Sequence, residues 1–335
     1  MTFLHSLPGI YVTQAIVHSF IALVIVEISF FVWGIKDHLS KFRYRILTLT
    51  LPAFMFPLYQ FIFPERGTWH FRLNTALFDS MKWIDIKIEG IYPFGLIFIL
   101  FLAGVTCIFF MQEILPLIRN RSLREEFSEG VEQTEADRRK IKEIGDRIFA
   151  GLSIGKPSVA IIDEEAPVLF TRGVKNHTVF ISRRLLDTLN EEQLKGALTH
   201  EAVHMLRGSS IKTQGIYLAR MLMFYNPVSL VEFRRIVHDD EFICDAVTVS
   251  KTGNPGALIE ALSAFYHKPD GEDNSARTDG LSGMKERIEM HSHNLMLDER
   301  IAVLKEMSAP EEKPFSLFQF SLTAAAILSA GYLVV

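Results

Sequence analysis

His200-Glu201-Ala202-Val203-His204 sets two histidines four residues apart with a glutamate between them. On a helix, positions i and i+4 share a face, so both imidazoles can reach one metal ion, while Glu201 on the adjoining face is placed to take a proton. The chemistry open to such a set is zinc-assisted hydrolysis of a peptide bond. Ordinary residue frequencies would produce H-E-x-x-H by accident in a chain of this length on the order of once in a hundred, so its surroundings matter. An inert buried helix has no use for two histidines and a glutamate among Ala197, Leu198, Ala202, Val203 and Leu206.

A catalytic zinc takes three protein ligands and leaves a fourth position open. Downstream, His238-Asp239-Asp240-Glu241-Phe242-Ile243-Cys244-Asp245 crowds candidate ligands together. The spacing favours Glu241, because Asp245 follows one turn later on the same face and can orient a zinc-bound histidine through its free ring nitrogen. Asp240 and His238 stand as alternatives, within a stretch that otherwise reads as a solvated helix start. Cys244 falls off the face shared by Glu241 and Asp245.

The elements that must hold these residues are legible around them. Asn190 with Gln193 three residues on predicts a capped helix from Glu191 to Arg207, ended by Gly208. Thr134 with Asp137 predicts a helix to about Ala150, with Ile141, Ile144 and Ile148 on one face. Ser158 to Asp163, Val168 to Thr171 and His177 to Ile181 read as short strands. Helices are expected at 183–189, 191–207, 211–225, 227–251, 255–267 and 283–307, with Lys268 to Gly283 a loop near the site. This order predicts an α+β domain with a mostly helical C-terminal part.

Long apolar runs at 11–34, 44–63, 91–115 and 315–335 each approach the roughly 20 residues that cross a bilayer core. They predict an N-terminal membrane part at 1–115, a zinc domain at 116–314 and a fourth span at 315–335. Lys36, Lys41, Arg43 and Arg45 lie between the first two runs, and Arg119, Arg121 and Arg124 follow the third. Positive residues near spans stay in the cytoplasm, so the N-terminus is expected outside and the zinc domain inside. The first run has no basic leader and is expected to remain as a span. Within the spans, Glu27 predicts a polar partner on a neighbouring span or a role in signal transfer or substrate entry, and Pro52 and Pro57 predict a kink.

Composition agrees: 335 residues, 49% hydrophobic, fit one soluble domain joined to a membrane part. A net charge of −4 without a basic cluster argues against a nucleic-acid partner. Two cysteines, Cys107 and Cys244, fit a reducing compartment and do not form a disulfide on this reading.

With these residues in hand, the chain resembles the membrane-embedded gluzincin peptidases, which pair H-E-x-x-H with a downstream E-x-x-x-D. The likeness extends through Ala166 to Gly173, Thr178 to Ser182, Leu185-Leu186, Leu189 and Glu192-Gln193-Leu194, and covers about residues 134 to 308. It implies an α+β zinc metallopeptidase (gluzincin-like) domain joined to a helical membrane part, mostly α overall. Two branches compete, the HtpX and CAAX-protease branch and the BlaR/MecR branch of β-lactam-sensing proteases. Three spans before the zinc domain and one after it are similar to the BlaR/MecR layout. Tyr332-Leu333-Val334-Val335 closes the chain inside the last span, so no penicillin-binding sensor domain is expected, which argues against direct β-lactam sensing.

The resemblance implies Zn2+ held by His200, His204 and Glu241, Glu201 as general base, and Asp245 orienting a histidine. Thr178, Val179, Phe180 and Ile181 would form an edge strand that holds a protein or peptide substrate by strand addition. The family's C-terminal arginine, which would stabilise the oxyanion, is assigned to Arg287, with Arg300 and His293 as alternatives. The expected function is a membrane-anchored zinc endopeptidase in a bacterial inner membrane that cuts a cytoplasmic regulator or membrane protein, its stimulus arriving through the spans, a sensor partner or a homo-oligomer. HtpX-like quality control and a non-catalytic signalling scaffold are the alternatives.

Overall fold

The computed structural model describes residues 3–115, 143, 145–146, 158–162, 167, 169–172, 178–208, 211–266, 296–306 and 315–335. In chain order the helices are α1 (Leu7–Trp33), α2 (His38–Ile62), α3 (Trp69–Asn74), α4 (Ser80–Ile84), α5 (Pro93–Phe109), α6 (Arg183–Thr188), α7 (Glu191–Gly208), α8 (Ile211–Leu222), α9 (Pro227–Thr252), α10 (Pro255–Tyr266), α11 (296–306) and α12 (Leu317–Tyr332). Three strands, β1 (Ser158–Ile162), β2 (Leu169–Arg172) and β3 (Thr178–Ser182), stand between α5 and α6. Of the predicted helix at 134–150, residues 143 and 145–146 are described and are helical, and the loop at 268–283 lies outside the described residues.

The chain forms two compact units. One combines Met1–Ser122, Lys212–Asp240 and Glu312–Val335, and the other Leu123–Ile211 and Glu241–Glu311. The stretch expected as a single soluble domain, 116–314, is therefore divided, and its residues 212–240 group with the apolar helices.

In the first unit, α1, α2 and Pro93–Gln112 are each long and apolar enough to cross a membrane. Asp37 starts α2 by accepting the Ser40 amide at 2.7 Å, and Gly34 ends α1 in the left-handed region at φ 61°. α12, with 16 residues, is shorter than the roughly 20 that span a bilayer core. It packs on α1 and α2 through Ile327 among Ala22, Val26, Tyr44 and Met55, and Thr323 Oγ1 lies 3.0 Å from Ser29 Oγ. A Cβ at Gly331 would fall 1.8 Å from Met55 Cε, so a larger residue there would have to displace the end of the Met55 side chain.

In the second unit the sheet order is β1-β3-β2, with β3 parallel to β1 and antiparallel to β2. This corrects the expectation for Thr178 to Ile181. β3 is the middle strand and its backbone is paired on both sides, so a substrate strand has no place to add there. Val179 and Ile181 point into a core shared with Leu185, Leu186 and Leu189 around α6 and with Leu194, Ala197, Leu198 and Ala202 of α7. Alternation along the strand and the i, i+3, i+4 pattern of the helix thus bury one apolar face each against the other. Leu258 and Leu262 of α10 join Leu297 and Leu304 of α11 in a second cluster.

Candidate active site

α7 begins with a reciprocal cap, in which the Gln193 amide donates to Asn190 Oδ1 at 3.0 Å and the Asn190 amide to Gln193 Oε1 at 2.8 Å. With the helix fixed at its start and its apolar side in the core, His200, Glu201 and His204 come to line a cavity of about 200 Å³. His200 Nε2 and His204 Nε2 lie 3.0 Å apart. Glu241 of α9 closes a triangle with them, its Oε2 3.5 Å from His200 Nε2 and its Oε1 3.3 Å from His204 Nε2. Four ligands placed tetrahedrally at zinc's usual bond length of about 2.0–2.1 Å are separated by roughly 3.3 Å, so two imidazoles and a carboxylate in this arrangement fit three corners of a zinc site.

A second layer fixes the first. Asp245 Oδ1 lies 3.1 Å from His200 Nδ1, on the side of the ring away from the triangle. Arg300 of α11 grips Asp245 with two parallel bonds, Nε to Oδ2 and a terminal nitrogen to Oδ1, both 2.7 Å. Its other terminal nitrogen lies 3.0 Å from Glu241 Oε2. Burial works against a charge on His200, but the carboxylates of Asp245 and Glu241 outweigh it and raise its pKa to about 9. Burial likewise favours the neutral acid at Glu241 and Asp245. His200 and His204 outweigh it at Glu241, Arg300 and His200 at Asp245, and both stay below the ordinary carboxylate range. Cys244 Sγ sits 3.5 Å from Nδ1 of His204, the nitrogen turned away from the triangle.

Glu201 is held from the sheet, where Thr171 Oγ1 of β2 donates to Glu201 Oε2 at 2.9 Å. Leu169 of the same strand, with Ala197, Leu258, Ala261 and Leu262, forms the apolar wall of the cavity. Among the described residues it is thus β2, and not β3, that borders the site.

The structure brings together His200, Glu201, His204, Glu241, Asp245 and Arg300. Of the other ligand candidates, Asp239 is engaged by His38 Nδ1 at 2.7 Å and by Arg45, and His238 and Asp240 flank it in the first unit. Arg287 and His293 lie outside the described residues. Thr171 as partner of Glu201 and the Asp245–Arg300 fork escaped the sequence reading. A threonine in a predicted strand and an arginine 55 positions downstream carry no local mark of either role.

Residues 96–255 match the family model described as BlaR1 peptidase M56, a stretch that includes His200 to His204 and Glu241 to Asp245. The chain is also similar to a protease HtpX homolog of Salinibacter ruber (strain DSM 13855 / M31), 24% identical over 216 residues that cover 53% of this chain and 77% of that protein. The chain is therefore similar to the membrane metallopeptidases of the BlaR and HtpX kind. Its apolar helices and these two likenesses support an integral membrane protease.

Proposed function

We propose that the chain is a membrane-anchored zinc endopeptidase, a reading carried by the convergence of His200, His204 and Glu241 at 3.0–3.5 Å beside Glu201. His200, His204 and Glu241 would hold a zinc ion, which would supply Lewis acidity to water and to the scissile carbonyl. Asp245, with Oδ1 3.1 Å from His200 Nδ1, would favour a proton on that nitrogen and so leave Nε2 as the ligand, and Arg300 keeps the Asp245 carboxylate in place. Glu201 takes a proton from the attacking water and passes it to the leaving amine. Thr171 occupies Oε2 of Glu201, which leaves Oε1 as the oxygen that carries the proton. The outer edge of β2 takes over the substrate-binding role first expected of β3, holding the chain to be cut in extended form beside Glu201. Because Asp245 and Glu241 engage the Arg300 guanidinium, we assign Arg300 to positioning the site and not to the oxyanion.

The substrate proposed is a cytoplasmic regulator or a membrane protein, with the enzyme in a bacterial inner membrane, its N-terminus outside and the zinc site inside. The likeness to an HtpX homolog favours quality control as the second reading. Both are tested by comparing newly formed protein N-termini in cells making the native chain or Glu201→Ala at matched levels. A few cleavages lost with the variant indicate a regulator, and many indicate quality control. Identical profiles, with the stimulus supplied by candidate antibiotics or membrane stress, would leave the signalling scaffold in place of the peptidase.

A further inference from the structure

From Gly215 to Glu232 the exposed large side chains are apolar, while polar side chains are buried beside Ile216, Ala219, Met223 and Val228. From Gly215 to Glu232, the large exposed side chains are Tyr217, Leu218, Met221, Leu222, Phe224 and Val231, between 38% and 60% exposed. Over the same stretch Arg220, Asn226, Ser229 and Glu232 are each at most 2% exposed. Water favours the reverse, and a surface this continuous in its apolarity wants a nonaqueous neighbour.

Contacts within the first unit give the depth. Arg235 donates to Glu27 Oε1 at 2.8 Å, and Asp239 is held by Arg45 and His38, which together form a charged belt at one end of α1 and α2. Nine residues before Arg235, Asn226 Nδ2 donates to Ser19 Oγ at 2.7 Å, in the middle of α1. Met223 and Tyr225 pack against Ala15, Ile16 and Ala53, midway along α1 and α2. Nine residues of helix rise about 14 Å, close to half of a hydrocarbon core of about 30 Å. The α8–α9 turn therefore sits near the level of the bilayer centre.

Irregular backbone at that depth must find its hydrogen bonds within the protein. Asn226 meets part of that need: its amide donates to the Met223 carbonyl at 2.9 Å, and its Oδ1 accepts the Val228 amide at 3.0 Å and the Ser229 amide at 3.4 Å. The Phe224 ring lies 5.7 Å from Phe109 of α5, so the turn packs against a candidate span.

We propose that residues 212–240 are a re-entrant helical hairpin that enters the bilayer from the Glu27 and Arg45 side and packs its Tyr217, Leu218, Met221 and Leu222 face against lipid acyl chains. The hairpin revises the cytoplasmic placement of this stretch and holds whether or not the chain cuts peptides.

The test uses the full chain with Cys107→Ser, reconstituted in phosphatidylcholine vesicles, with a nitroxide label on Leu218→Cys or on Leu222→Cys. Collision of each label with oxygen and with a water-soluble nickel chelate is compared with two references, Leu100→Cys, exposed on α5, and Glu192→Cys, exposed on α7. The unsubstituted Cys107→Ser parent, whose remaining Cys244 is fully buried, sets the background. At both positions the expected result is high oxygen and low nickel accessibility, matching Leu100 and several-fold apart from Glu192. Nickel accessibility like that of Glu192 would overturn the hairpin, and shielding from both reagents would overturn lipid as its neighbour in favour of a protein.

Discussion

Asp245 and Arg300 meet through two parallel hydrogen bonds of 2.7 Å, with Asp245 only 1% exposed and Arg300 6%. Asp245 lies against His200 Nδ1, and Arg300 reaches Glu241 Oε2 at 3.0 Å and lies 3.4 Å from His200 Nε2, so a change in either residue should be felt at the metal triangle.

Arg300→Lys keeps a positive charge but cannot reproduce the planar fork. Zinc affinity should fall about 10–100-fold, the usual cost of removing an outer partner of a ligating histidine. Chelator competition on the purified chain measures this. An unchanged affinity with reduced turnover would instead put Arg300 at the oxyanion.

Glu201→Gln and Glu241→Ala should separate base from ligand. The first is expected to keep stoichiometric zinc and lose turnover by roughly 10²–10⁴-fold, the usual contribution of a general base. The second should lose zinc, read by metal analysis after dialysis. Full zinc content in Glu241→Ala would remove it from the ligand set.

Thr171→Val keeps the shape of β2 and removes the bond to Glu201 Oε2. A hydrogen bond to a charged group is worth about 1.5–3 kcal/mol, so kcat should fall at least tenfold. Zinc content and thermal unfolding should stay near native. A fall in zinc content alongside turnover would mean that β2 supports the metal triangle and not the base.

Arg45→Met leaves Asp239, 1% exposed, with His38 as its remaining described ion-pair partner. Stripping a partner from a buried charge costs about 3–5 kcal/mol. Thermal unfolding in detergent should show a clear loss of stability, and Arg45→Met combined with Asp239→Leu should recover much of it. An unaltered melting curve for the single variant would show that the belt adds nothing to stability.

What the sequence made legible was local. The Asn190–Gln193 cap, the shared face of His200 and His204 and the one-turn step from Glu241 to Asp245 each follow from spacing within a single helix. The order of the strands was not legible, because β1, β2 and β3 carry the same β-branched and aromatic residues and no residue type marks the middle one. Arg300 was weighed with Arg287 because only folding shows which arginine reaches Asp245. Of residues 211–225, expected as helix, Ile211–Leu222 are helical, and what lies beside them was not legible, since Leu218 or Met221 looks the same in a sequence whether its neighbour is protein, lipid or water.

The shortness of β2 has a consequence for how substrates are selected. Four residues long and paired to β3 on one side, it turns the backbone groups of only two residues outward. Four main-chain bonds at about 1 kcal/mol each correspond to a dissociation constant on the order of 1 mM. Affinity that weak cannot select a target from dilute solution. On the peptidase reading, a substrate confined to the same membrane reaches a local concentration near that value, and proximity supplies the selectivity that the strand itself lacks.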